Sequence, residues 1–184
     1  MITIVAKKIL MTEGMSRRER ELEAVRRCLQ ELQINSEIKH RRSGAPFLDG
    51  DNETQISITH SQRWAAIAVA QNSDGLVGID IESADRGDQL RRVMPKVAAE
   101  TEKDFADNVA DGPLKLWTAK EAAFKALGRE NVDFANHLLL NVHECDKIVY
   151  TPDNKVLNVA YKKLDHTDLL CIVFEYNNFE VETL

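Results

Sequence analysis

The opening residues Ile2, Ile4 and Val5 are β-formers and predict a strand over 1–10. From Ser16 the period changes. Leu22, Val25, Leu29 and Leu32 recur at helical spacing and predict a helix over 16–33. A short strand is expected over 36–41, and Gly44-Ala45-Pro46 with Asp49-Gly50-Asp51-Asn52 carries loop chemistry through 44–52. Polar and apolar residues alternate over 55–59, with Ile56 and Ile58 on one face. His60-Ser61-Gln62-Arg63 interrupts, and a buried strand resumes over 64–70, giving a hairpin with His60 and Ser61 at its rim. Asn72-Ser73-Asp74-Gly75 reads as a turn and 76–82 as another strand. A helical region follows, interrupted by Pro95. Asp111-Gly112-Pro113 then starts a helix that runs to Leu127 and is capped by Gly128. Strands over about 147–151, 155–162 and 168–176 complete the pattern.

The order of elements repeats: strand, helix, strand, strand pair over 1–70, then strand, helices, strand, strand over 76–176. The expected fold class is therefore α+β, a pseudo-dimer of two similar halves divided at 1–75 and 76–184 but folded as one unit. A cleft between such halves is a common place for a ligand. The chain has 184 residues, 43% hydrophobic and 29% charged, with no linker-like run, which fits one packed domain.

A formal net charge of −6 argues against a bulk nucleic-acid binder. The arginines at 17, 18, 20, 26 and 27 read as a solvated helix face. Cys28, Cys145 and Cys171 lack CxxC spacing and read as reduced thiols of a cytoplasmic protein. The apolar start, broken by Lys7 and Lys8, is not a signal peptide, and no apolar run has the length of a membrane span.

Two segments carry candidate chemistry. In Gly78-Ile79-Asp80-Ile81-Glu82, strand alternation points Ile79 and Ile81 one way and Asp80 and Glu82 the other. Two carboxylates on one strand face are either exposed, protonated or bridged by a cation. In Leu116-Trp117-Thr118-Ala119-Lys120-Glu121-Ala122-Ala123-Phe124-Lys125, helical spacing lines up Trp117, Glu121 and Lys125. Taken singly, the first segment suits an exposed edge strand and the second a surface helix. Taken together, Asp80, Glu82 and Glu121 could converge on one hard cation. An all-oxygen set favours Mg²⁺ (or Mn²⁺) over zinc, and Mg²⁺ usually completes its shell with substrate phosphates. Lys125, one turn beyond Glu121, could neutralise the same phosphates.

The pattern resembles the 4′-phosphopantetheinyl transferase superfamily. Gly78, Asp80 and Glu82 match its Gly-x-Asp-x-Glu strand. Trp117, Thr118, Lys120, Glu121, Ala122 and Lys125 match its Trp-[Ser/Thr]-x-Lys-Glu-Ala-x-x-Lys helix. Thr59-His60-Ser61 matches an upstream Ser/Thr-His-Ser segment. The resemblance spans about 44–128. Because 77 residues precede Gly78, it is closer to the surfactin-synthetase-activator type, whose two halves form a pseudo-dimer in one chain, than to the trimeric holo-acyl-carrier-protein synthase type. There is one departure: Gly44-Ala45-Pro46 stands where the family commonly has Gly-Lys-Pro, its lysine on the 3′-phosphate of coenzyme A. Lys39, Arg41 or Arg42 is a possible substitute.

The resemblance implies transfer of 4′-phosphopantetheine from coenzyme A to a serine of an acyl or peptidyl carrier protein, by a monomer acting in fatty-acid, polyketide or nonribosomal peptide synthesis. It implies Asp80, Glu82 and Glu121 as metal ligands, and Glu121 and Lys125 as catalytic groups. His60, Ser61, Lys120, Lys125, Arg41 and Pro46 would contact coenzyme A. Lys120 is expected to brace Glu121 or face solvent. Two rivals share these residues: a hydrolase of the coenzyme A pyrophosphate, and a non-catalytic binder of coenzyme A or carrier.

Overall fold

The side-chain alternation of two strands, β1 (Ile2–Lys8) and β5 (Trp64–Gln71), decides the architecture. Val5, Ala65 and Ile67 project from one face of their sheet and bury Ala24, Val25 and Cys28 of helix α1 (Arg17–Glu31). Ile2, Ile4, Ala66, Ala68 and Ala70 project from the other face. They meet Val77, Ile79 and Ile81 of β6 (Val77–Ser83) and Leu170, Ile172 and Phe174 of β10 (Asp168–Phe174), which belong to a second sheet. That second sheet buries its far face under helix α4 (Gly112–Leu127). The layers are thus helix, sheet, sheet, helix. In a computed structural model of the chain, the described residues are 2–71 and 75–175, with the backbone of 181–183.

Strands β2 (Ile38–His40), β3 (Pro46–Leu48) and β4 (Thr54–His60) complete the first half. Helices α2 (Gly87–Val97), α3 (Lys103–Asn108) and α5 (Phe134–His137), with β7 (Leu138–Leu140), β8 (Lys147–Tyr150) and β9 (Lys155–Lys163), complete the second. The last strand is β11 (Val181–Thr183). The first sheet has the order β11-β1-β5-β4 and the second β6-β10-β9-β8-β7, while β2 and β3 form a separate hairpin. β1 pairs antiparallel with β5, which pairs with β4, and in the same way β6 pairs antiparallel with β10, which pairs with β9. β11 returns from the chain's far end to lie parallel to β1, with Ile2 opposite Val181.

Most of the expected elements are present. Ser16 caps α1 through a reciprocal bond with Glu19, and Gly128 ends α4 at φ 57°, a left-handed conformation that suits glycine. Several points differ, among them helix α5 and strand β11, where no element was expected. Residues 46–48, expected as loop, form β3, because this edge strand pairs on one side only and tolerates a proline. Pro95 does not break its helix; it lies in the last turn of α2. Strand β7, in a stretch without turn or period signals, forms by pairing with β8. The expected turn at 72–75 falls mostly outside the described residues. Among the described residues no helix is long and apolar enough to cross a membrane.

One glycine sets the distance between β6 and α4. A Cβ on Gly78 would stand 2.0 Å from the Ala122 carbonyl oxygen and 2.5 Å from the Ala126 backbone nitrogen. Only glycine lets the helix backbone settle this close. The facing side of α4 is accordingly small, with Ala119, Ala122, Ala123 and Ala126 all buried.

Candidate active site

Gly78, Asp80 and Glu82 share the face of β6 that looks toward α4, so close helix packing brings Glu121 and Lys125 beside the strand carboxylates. Lys125 Nζ donates to Asp80 Oδ1 at 2.7 Å and to the Ile79 carbonyl at 3.2 Å. Glu82 Oε2 accepts from Arg86 at 2.5 Å, and its Oε1 from the Ser83 backbone N–H at 2.9 Å. Burial raises the Glu121 carboxyl above its ordinary value, and the charges of Asp80 and Glu82 add to this while Lys125 opposes it. Glu82 is raised too, by burial first, against the Ser83 N–H and Arg86.

A cavity of about 650 Å³ is lined by Asp80, Glu82, Glu121, Trp117, His60 and Ser61, with Arg17, Arg86 and Gln89 among its other walls. A second cavity of about 390 Å³ runs from His60 and Glu121 past Lys125 to Pro46, Phe124 and Arg129. The two share His60 and Glu121, so the stripe Trp117, Glu121, Lys125 lies along both. The halves meet here. Ser57 and Thr59 of β4 accept hydrogen bonds from the backbone N–H groups of Ile79 and Ile81 of β6, each at 3.0 Å.

Of the residues singled out in the sequence, Asp80, Glu82, Glu121, Lys125, His60, Ser61 and Pro46 come to these cavities. His60 Nδ1 lies 3.6 Å from Glu21, which Arg17 holds at 2.7 Å. Lys120 does not come to them. It is fully buried, and its ammonium is spent on Glu102 Oε2 at 2.5 Å and on the Val97 and Phe134 carbonyls at 2.8 Å each. It neither braces Glu121 nor faces solvent, because consecutive helix residues point about a quarter-turn apart. Arg41 lies outside the lining of both cavities, its guanidinium 5.1 Å from the Phe47 ring centre. Lys39 is paired with Asp49 at 2.7 Å. The titratable side chains that line the smaller cavity together with Ala45 are His40, His60, Glu121, Lys125 and Arg129. Arg86 and Arg129 had no motif to mark them, and Arg17, expected on a solvated helix face, lines the larger cavity, since these positions depend on how separate elements pack.

The three carboxylates share a cavity without forming a ligand cluster. Among the described residues no group of three or more His, Cys, Asp or Glu side chains is gathered so that it could hold a metal. Asp80 turns instead to Lys125 and Glu82 to Arg86.

The chain belongs to the 4′-phosphopantetheinyl transferase superfamily: the profile of that superfamily matches residues 76–173, from the start of β6 into β10. It is also similar to a 4′-phosphopantetheinyl transferase, gsp, of Aneurinibacillus migulanus, at 27% identity over 128 residues, or 66% of this chain and 51% of that protein. The chain thus spans about half the length of this curated relative.

Proposed function

We propose that this chain moves 4′-phosphopantetheine from coenzyme A to a serine of an acyl or peptidyl carrier protein and releases adenosine 3′,5′-bisphosphate. The observation that carries the proposal is that Asp80, Glu82 and Glu121, distant in sequence, line one cavity beside Lys125. The superfamily match covers all four residues.

The donor set fits a hard divalent cation. It is all carboxylate oxygen, and burial, with a smaller contribution from the neighbouring carboxylates, makes the charged forms of Glu82 and Glu121 unfavourable unless a cation compensates them. Asp80, Glu82 and Glu121 would hold Mg²⁺ or Mn²⁺, which when bound neutralises pyrophosphate oxygens. Lys125 adds a positive charge at the same place. His60, which lines both cavities, and Ser61, which lines the larger one, hold a phosphate of coenzyme A, and Pro46 and Phe124 pack its nucleoside. Glu121, its carboxyl raised by burial and by the neighbouring Asp80 and Glu82, takes the serine proton. The serine oxygen then forms a bond to the β-phosphorus as the bond from that phosphorus to the bridging oxygen breaks. The leaving bisphosphate carries away the electron pair, and Lys125 stabilises the growing charge. The matching strand pairings of the two halves support the pseudo-dimer organisation.

Mass measurement of apo-carrier proteins incubated with the chain, coenzyme A and Mg²⁺ tests this. A phosphopantetheine adduct is expected, and Asp80→Ala or Glu121→Ala should abolish it while the protein stays folded. Several unrelated carriers left unmodified would overturn it. Phosphopantetheine released without any carrier would point to hydrolysis instead.

A further inference from the structure

Thr59 makes two hydrogen bonds whose directions fix one another. Its hydroxyl oxygen accepts from the Ile81 backbone N–H at 3.0 Å, so its single proton is free for another acceptor. That proton goes to Asp80 Oδ1 at 3.1 Å. The same oxygen accepts from Lys125 at 2.7 Å. The hydrogen bonds to the Asp80 carboxylate among the described residues therefore fall on Oδ1, while the residue lines the larger cavity. Thr59 is 4% exposed and comes from β4, in the other half of the chain from Asp80. Two residues away, Ser57 makes the same bond to β6, accepting from the Ile79 N–H at 3.0 Å, but its hydroxyl does not reach Asp80. The two hydroxyls stitch the same strand edge, and only one of them also holds a site carboxylate.

We infer that Thr59 is a positioning residue: its hydroxyl, oriented by the Ile81 N–H, pins Asp80 by Oδ1 and turns Oδ2 into the cavity as a ligand for a divalent cation. The inference rests on the cation-site reading above. A neighbour that orients a metal-binding carboxylate commonly contributes 10–100-fold to metal affinity. The first half would then supply part of the metal site without supplying a ligand.

The probe is Mn²⁺, titrated into the full chain and followed by loss of the free-ion electron paramagnetic resonance signal. Thr59→Val keeps the shape and removes the hydroxyl, and should weaken Mn²⁺ binding about tenfold or more. Thr59→Ser should restore wild-type binding, and Thr59→Cys, of similar size but a weaker donor, should fall between. Ser57→Ala removes the equivalent strand contact and should lower the melting temperature without changing Mn²⁺ affinity. The graded series from serine through cysteine keeps the test open if the valine variant folds poorly. Wild-type affinity in Thr59→Val or Thr59→Cys, or an equal loss in Ser57→Ala, overturns the positioning role and leaves the cation site standing. A wild-type protein that binds no Mn²⁺ overturns the cation site and this role together.

Discussion

Replacing Lys120 by methionine separates two explanations of a motif residue. In one, the lysine touches substrate; in the other, which the structure supports, it locks α4 in place. The lysine Nζ makes three bonds inside the protein, to Glu102 Oε2 and to the Val97 and Phe134 carbonyls. Glu102 is 1% exposed and also accepts from the Ala99 N–H and the Leu140 N–H, both at 2.7 Å. The pair therefore ties α4 to the end of α2, to α5 and to β7. Burial pushes the Lys120 ammonium down from its ordinary value, and Glu102 holds it up. Methionine preserves much of the volume but strands a buried carboxylate, a loss of about 3–5 kcal/mol. By contrast, the exposed Lys103–Glu100 pair at 2.5 Å contributes about 0–1 kcal/mol. Urea denaturation at unchanged slope reads the difference. The double variant Lys120→Met, Glu102→Gln should recover part of the loss, because it removes the orphaned charge. A Lys120→Met protein with wild-type stability and a selectively raised KM for coenzyme A would refute the reasoning and return Lys120 to the substrate.

Three other substitutions have defined outcomes. Gly78→Ala should destabilise the fold by about 1–3 kcal/mol and suppress activity, since its Cβ meets α4 backbone rather than movable side chains; thermal denaturation and the carrier assay check both. Glu121→Gln should abolish transfer yet raise the melting temperature at pH 8. The folded state raises this carboxyl, so its stability is fully present below the unfolded value and is lost as pH rises through the folded one. The gain should accordingly vanish near pH 4, and a gain that persists there would contradict the assignment. Arg63→Gln should lose about 1.5–3 kcal/mol by chemical denaturation, because Arg63 Nε binds the buried Asp168 at 2.5 Å while its other nitrogens reach Asp85 and Ser83 at 2.7 Å each.

The sequence by itself determined the elements that carry the site. The alternation in 76–82 assigned Ile79 and Ile81 to a core and Asp80 and Glu82 to the opposite face, and the i, i+4, i+8 spacing placed Trp117, Glu121 and Lys125 on one stripe. Those are local facts, fixed by the pleat of a strand and the turn of a helix. Spacing could not tell where the neighbouring residue Lys120 would point, since a lysine at a helix position serves equally in water, on a phosphate or against a buried glutamate. That choice was made by Glu102, eighteen residues away. Nor could it show that β3 and β7 exist, because such short strands are held only by their partners. Tertiary packing also turned Asp80 toward Lys125 and Thr59, and Glu82 toward Arg86. Electrostatic partners in a shared cavity are chosen by distances of a few ångströms between separate elements, and no periodicity along one chain encodes such distances.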